Sequence, residues 1–181
     1  MKSSSAIPWE AVGASPDELE ERWYALRLRS NFEAKTTAIL KERGFDGFSP
    51  TYKTRRRWSD RVKEIDSPLF PGYVFCRFGA PDLLSILNTP GVVHIVSIGR
   101  TPVPIDDAEI ASVKAICSSN LTTHPWAVAS GRRIVIIDGP LKGAEGVVIK
   151  VKDCYRIVAS ISLLQRAVSA ELEATWVTPA N

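Results

Sequence analysis

At 181 residues, 45% of them hydrophobic, the chain is long enough for one or two domains with buried cores. Its formal net charge of +3 is too small to argue for nucleic acid by itself, and no apolar run approaches the roughly 18 residues of a membrane span. Cys76, Cys117 and Cys154 stand far apart with no CxxC spacing, so neither a zinc site nor a disulfide framework is suggested, and buried thiols in a reducing cytoplasm are expected.

Residues 1–20 hold no continuous hydrophobic stretch and turn acidic; they are expected as a mobile tail rather than a secretory signal. "RWYALRL", Arg22 to Leu28, alternates and reads as a first strand. In "SNFE", Ser30 and Glu33 have capping-box spacing. Phe32, Thr36, Ile39 and Leu40 then share one helical face, and Gly44 falls where a left-handed cap ends a helix. Residues 48–54 and 61–66 flank the basic run "KTRRRWSDRVK" and read as a hairpin. "YVFCRF" is a strand after Gly72, and "APDLLSILN" is a short helix with Pro81 in its first turn. "VVHIVSIG" is the next strand. "IDDAEIASVKAIC" opens with Asp106 and Glu109 in capping-box spacing and turns Ile110, Val113 and Ile116 inward.

This order predicts an α+β unit over 21–118, with helices packed on a largely antiparallel sheet. Residues 119–129 are polar, lack a sustained period and read as a linker. From 130 to 181, short β-rich segments separated by glycines predict a small barrel of about five strands. "SLLQRAVSAELEA" is ambiguous. Its residues are helix formers, yet Val168, Ala170, Leu172, Ala174 and Trp176 line one face of a strand, and the β-rich context favours strand.

The chain offers little for catalysis. It has two histidines, His94 in a strand and His124 in the linker segment, and no nucleophile elbow, HExxH or phosphate loop. "GPLKGAEG" lacks the Lys-Ser/Thr of a phosphate loop, so its glycines read as turn and bulge residues between strands. An enzyme and a cofactor are therefore not expected. Two surfaces remain. The basic run is either a solvated hairpin tip or a phosphate-contacting loop. The aromatic strand carries Tyr73, Phe75 and Arg77 on one face and Val74, Cys76 and Phe78 on the other. If helices cover one face, the second is either covered by another element or left as an apolar patch for a partner, such as a helix anchored by a few large side chains.

"RWYALRLRSNFEAKTTAIL", "SPLFPGYVFCRF", "NTPGVVHIVSIG" and "PVPIDDAEIASV" resemble successive signatures of the NusG N-terminal (NGN) domain, and "VIIDGPLKGAEGVV" resembles that family's KOW motif. The resemblance spans about residues 22 to 177, in family order. It implies a transcription elongation factor without catalysis, cytoplasmic and monomeric, with an NGN domain at 21–118 and an SH3-like KOW barrel at 130–181. The N-terminal domain would dock on the clamp-helix coiled coil of the largest RNA polymerase subunit and disfavour pausing. The barrel would recruit a second factor, Rho or a small-subunit ribosomal protein in relatives.

Carried over by position, the polymerase-facing pocket includes Phe70, Pro71, Tyr73 and Phe75, with Tyr24 as a further candidate and Trp23 expected in the core. Arg55, Arg56, Arg57, Arg61 and Lys63 fall in the family's variable hairpin, which can lie near upstream or non-template DNA. Asp138, Gly139, Gly143 and Gly146 carry the KOW motif. Between Ser160 and Leu172 the chain reads "SISLLQRAVSAEL" where housekeeping members carry an aromatic-glycine-arginine turn used for Rho and ribosomal contacts. The form resembles operon-specialised antiterminator paralogues, some of which refold the C-terminal domain from a helical hairpin into a barrel. A housekeeping factor is the neighbouring alternative. A ribosomal or RNA-binding KOW module is remoter, because residues 119–181 hold seven Lys/Arg against five Asp/Glu, a weak basic footprint.

Overall fold

The structure, a computed structural model, describes residues 20–57, 62–119, 121, 123–126, 132–151, 154–172 and 177–179. The tail expected over residues 1–20 lies outside them except for Glu20.

The chain opens with strand β1 (Arg22–Leu28), helix α1 (Glu33–Glu42) and strands β2 (Asp46–Phe48), β3 (Thr51–Arg57), β4 (Val62–Pro68) and β5 (Tyr73–Phe78). Helix α2 (Leu83–Leu87), strands β6 (Val92–Ile95), β7 (Ser97–Ile98) and β8 (Thr101–Pro102) and helix α3 (Asp107–Ser118) follow. Then come β9 (Thr123–Trp126), β10 (Arg132–Ile136), β11 (Glu145–Val151), β12 (Cys154–Ile161), β13 (Arg166–Leu172) and β14 (Val177–Pro179). One antiparallel sheet runs β2-β5-β1-β6, a second runs β14-β10-β11-β12-β13-β9, and β3-β4 and β7-β8 are two-stranded ribbons.

Alternation along the central strands divides the first sheet's faces. Leu26, Leu28, Val74, Cys76 and Phe78 join Leu40 of α1 and Ile86 of α2 in one core. Trp23, Ala25 and Phe75 point the other way, into a second core with Ile110, Val113 and Ile116 of α3. That second core does not stop at the first sheet: it continues into Ile134, Ile157, Ala159, Ile161, Val168 and Ala170 of the second sheet. Helix α3 is the shared layer, packed on β1 and on β11, β12 and β13. The face of the aromatic strand that α1 and α2 leave bare is therefore covered.

Several local expectations shift. Asp106 caps α3 by accepting from the Ala108 amide at 2.7 Å. At α1 no capping box forms: Phe32 holds the cap position without a side-chain bond, and Glu33 reaches away to Gly72. "VVHIVSIG" is broken into β6 and β7. Part of the segment expected as a linker, Thr123–Trp126, pairs antiparallel with β13 at the edge of the second sheet. An edge strand tolerates Pro125 and polar residues that would disrupt a central one, which is why composition alone reads as connector. The ambiguous C-terminal segment opens with a 3-10 turn at Ser162–Leu164 and is strand from Arg166 to Leu172, with Val168 and Ala170 buried together; Ala174 and Trp176 lie outside the described residues.

Candidate partner-binding face

Phe70-Pro71-Gly72-Tyr73 forms a β-turn closed by the Tyr73 amide on the Phe70 carbonyl at 3.0 Å. Proline in the second position and a glycine of φ +80° in the third are what a type II turn requires. The turn is held from outside as well. The Gly72 amide donates to Glu33 Oε1 at 2.8 Å, and the Leu28 amide donates to the Gly72 carbonyl at 2.9 Å. A Cβ on residue 72 would meet Arg27 Nη1 at 2.6 Å, and the Arg27 guanidinium lies 4.9 Å from the centre of the Tyr73 ring.

Beneath the turn, Phe70 and Phe75 meet edge to face with centroids 5.2 Å apart, and Phe48 lies 6.2 Å from Phe75. Phe70 and Phe75 are 1% and 0% exposed; Pro71 is exposed and Tyr73 half-buried. What shields this region comes in part from the second sheet. Arg166, at the start of β13, donates from Nη1 to the Pro71 carbonyl at 3.2 Å and sets its guanidinium 5.1 Å from the Tyr73 ring centre. Glu109 of α3 accepts from both the amide and the hydroxyl of Ser162, which opens the 3-10 turn Ser162–Leu164 ahead of β13. Leu163 and Leu164 of that turn pack against the shared core. Two polar contacts thus flank the apolar seam between the halves.

The structure brings Phe70, Pro71, Tyr73 and Phe75 together. It does not bring Tyr24 to them: Tyr24 pairs with Cys76 in the ladder and stacks on Phe78, 4.7 Å between centroids, on the opposite face. Burial there raises its phenol's pKa. Trp23 is in the core, with Lys114 Nζ 4.2 Å above its ring. Sequence reasoning did not single out Arg166 or Ser162 and read Glu109 only as half of a capping box, because no periodicity marks a polar residue that bonds to another element.

In the hairpin, Arg55 and Lys63 are exposed. Arg56 and Arg57 belong to β3, opposite Lys63 and Val62, with side chains outside the described residues, where Arg61 also lies. The Lys53 ammonium pairs with Asp66 at 2.9 Å, which raises its pKa. Asp138, Gly139 and Gly143 build the tight connection between β10 and β11, where the Gly143 amide donates to the Ile136 carbonyl at 2.8 Å. Gly146 sits against β12 so closely that a Cβ would meet Ile157 Cγ1 and the Val158 carbonyl oxygen at 2.8 Å. The glycine motif therefore shapes the sheet. Among the described residues no group of three His, Cys, Asp or Glu could hold a metal, and no helix is long and apolar enough to cross a membrane.

Comparison with known proteins agrees with this architecture. A solved structure titled "Domain interaction in Thermotoga maritima NusG" superposes with a TM-score of 0.50 at 21% identity, covering 91% of this chain and 99% of that one; at that identity it speaks for the fold. The NusG protein of Lactococcus lactis subsp. lactis (strain IL1403), a transcription termination/antitermination protein, is 24% identical over 168 residues, 85% of this chain and 90% of its own. That of Staphylococcus carnosus (strain TM300) is 25% identical over 179 residues, 91% and 95%. The family model "Transcription termination factor nusG" matches residues 21–114, more than half of the chain and the whole of the first sheet with α1 and α2. The chain belongs to the NusG family of transcription termination and antitermination proteins.

Proposed function

We propose that this chain is an elongation factor that binds the clamp helices of RNA polymerase through the Pro71–Tyr73 face and suppresses pausing or termination. The second sheet covers that face in the free protein and recruits another factor once it has moved away. The observation that carries the reading is Arg166, which occupies both the Pro71 carbonyl and the Tyr73 ring. A partner using those groups must displace it. Phe70 and Phe75, fully buried, act as the floor beneath the turn rather than as contact atoms. The basic hairpin lies near upstream or non-template DNA in this reading.

The turn before β13 bears on the second factor. Gln165 holds φ +52°, the left-handed conformation that costs a non-glycine residue roughly 1–2 kcal/mol, and Arg166 follows it. The backbone thus keeps the form expected of an aromatic-glycine-arginine turn while the aromatic and the glycine are replaced by Leu164 and Gln165. That supports an operon-specialised paralogue with an altered recruiting surface over a housekeeping factor that contacts Rho and the ribosome.

The test is binding of purified RNA polymerase to the full chain. A cation over an aromatic ring contributes roughly 0.5–2 kcal/mol, and a site that is open only part of the time binds more weakly by that fraction. Arg166→Ala is therefore expected to raise polymerase affinity between about twofold and thirtyfold, and Tyr73→Ala in that background to lower it again. An Arg166→Ala chain whose affinity does not change when Tyr73 is removed would refute the assignment of this face.

A further inference from the structure

A β-turn with proline second and glycine third has two forms open to it. Types I and II share proline's φ and differ by turning the peptide unit between the central residues through roughly 180°. Glycine takes φ of either sign at little cost, so Pro71 and Gly72 do not choose between them. Gly72 holds φ +80°, the type II form, and the choice falls to whatever grips that peptide. A trans peptide is planar, with its N–H and C=O pointing opposite ways. Here the Gly72 amide donates to Glu33 Oε1 at 2.8 Å, and the Pro71 carbonyl at the other end accepts from Arg166 Nη1 at 3.2 Å. Each charge meets the pole of opposite sign on one peptide dipole of roughly 3.5 D. Both favour the orientation observed.

The two grips part company when the second sheet moves away. Arg166 belongs to β13 and leaves with it, whereas Glu33 is the first residue of α1 and stays with the first sheet. No side chain caps α1, and Glu33 spends its carboxylate on an amide 39 positions away. The positive end of the helix dipole favours a carboxylate in that first turn. Among the described residues no lysine or arginine forms an ion pair with Glu33, so no cation draws it off Gly72. A flipped turn would aim the Pro71 carbonyl at this carboxylate, an acceptor against an anion, and withdraw it from the exposed surface.

We propose that Glu33 is the positioning residue of the partner-binding face. By holding the Gly72 amide it keeps the Pro71 carbonyl turned outward, to Arg166 in the closed chain and to a hydrogen-bond donor of the polymerase in the open one. This rests on the reading of that face as the polymerase contact, and the experiment separates the two. Hydrogen exchange at the Gly72 amide, followed by NMR on the full chain, reads the hold on the turn without polymerase. A titration with purified polymerase in the Arg166→Ala background, where that arginine's hold is gone, reads its consequence for binding.

Glu33→Ala is expected to speed exchange at Gly72 about two- to tenfold, the range that corresponds to one net hydrogen bond. In the Arg166→Ala background it is expected to lower polymerase affinity by a similar factor, about two- to tenfold. Glu33→Gln keeps a carbonyl oxygen at the same reach and should recover most of both losses. A residue that merely stabilised the fold would not move affinity, because a chain weakened by one bond stays almost wholly folded. Unaltered Gly72 exchange in Glu33→Ala would overturn the hold on the turn. Equal polymerase affinity of the Arg166→Ala and Arg166→Ala/Glu33→Ala chains would overturn the positioning role, as would a glutamine variant as damaged as the alanine one. If Gly72 exchange responds as expected while Tyr73→Ala leaves the affinity of the Arg166→Ala chain unchanged, the polymerase reading falls and the hold on the turn stands.

Discussion

Alanine at position 72 must adopt the φ of +80° that glycine holds there, at a cost of roughly 1–2 kcal/mol for a left-handed residue. The new Cβ meets only the far end of Arg27, a flexible side chain that can turn aside, so the backbone term dominates. Gly72→Ala is therefore expected to destabilise the chain by about 1–2 kcal/mol in urea unfolding, and a change near zero would show that the turn is not held in this form. The thiols give a pH prediction. Burial pushes Cys76 and Cys117 up to about 12 from an ordinary value of 9.0, with neighbouring carboxylates adding to the effect at Cys76. Between those values the unfolded chain has lost the protons that the folded chain keeps, so stability falls as pH rises from about 9 toward 12. The slope is roughly 1.4 kcal/mol per pH unit for each thiol. Denaturation midpoints followed above pH 9 check this, and replacing both cysteines with alanine should flatten the alkaline limb. Proline-glycine in the turn was readable from residue types alone. Tyr24 was not: strand parity puts it on the face opposite Tyr73, a matter of register against β5 that one strand's sequence does not contain.

At the scale of elements, the legible ones carry their own signals. Helix α3 announces itself with Asp106 as cap and Ile110, Val113 and Ile116 as an inward stripe, and all three are buried. Its second partner was hidden because a stripe of that width already suits a single neighbour. The missed sign is breadth: from Ser112 through Cys117 no residue is fully exposed, and Ser112 and Ala115 are small enough to let another layer approach. Strand β9 was illegible for the opposite reason, since an edge position relaxes the apolar alternation by which strands are recognised. The candidate site divides along the same line. Its floor of Phe70 and Phe75 and its turn follow from local sequence, whereas its cover depends on Arg166, 95 positions beyond Pro71, and only the packing of two sheets on α3 brings them together.

Across the whole molecule, one buried cluster runs from Trp23 through α3 to Ile157 and Val168, so neither half can unfold without exposing apolar surface on the other. Calorimetry on the wild-type chain should accordingly give one transition whose calorimetric and van't Hoff enthalpies agree. Two resolved transitions would mean that the seam contributes little. The tethers at its edges are accessible to substitution without cutting into the core. Removing a hydrogen bond typically costs about 0.5–1.5 kcal/mol, and in a chain of this size each kcal/mol moves the midpoint by about 2–4 °C. Glu109→Ala with Arg166→Ala is expected to lower Tm by several degrees. The closing free energy enters stability and polymerase affinity with opposite signs, because what holds the face shut must be returned before a partner can use it. The double variant that melts earlier must therefore bind polymerase more tightly, and wild type, the two single variants and the double should fall on one line of opposed slope. If the variants lose stability and affinity together, Glu109 and Arg166 support the face itself, and a movable cover is no longer the explanation for their contacts.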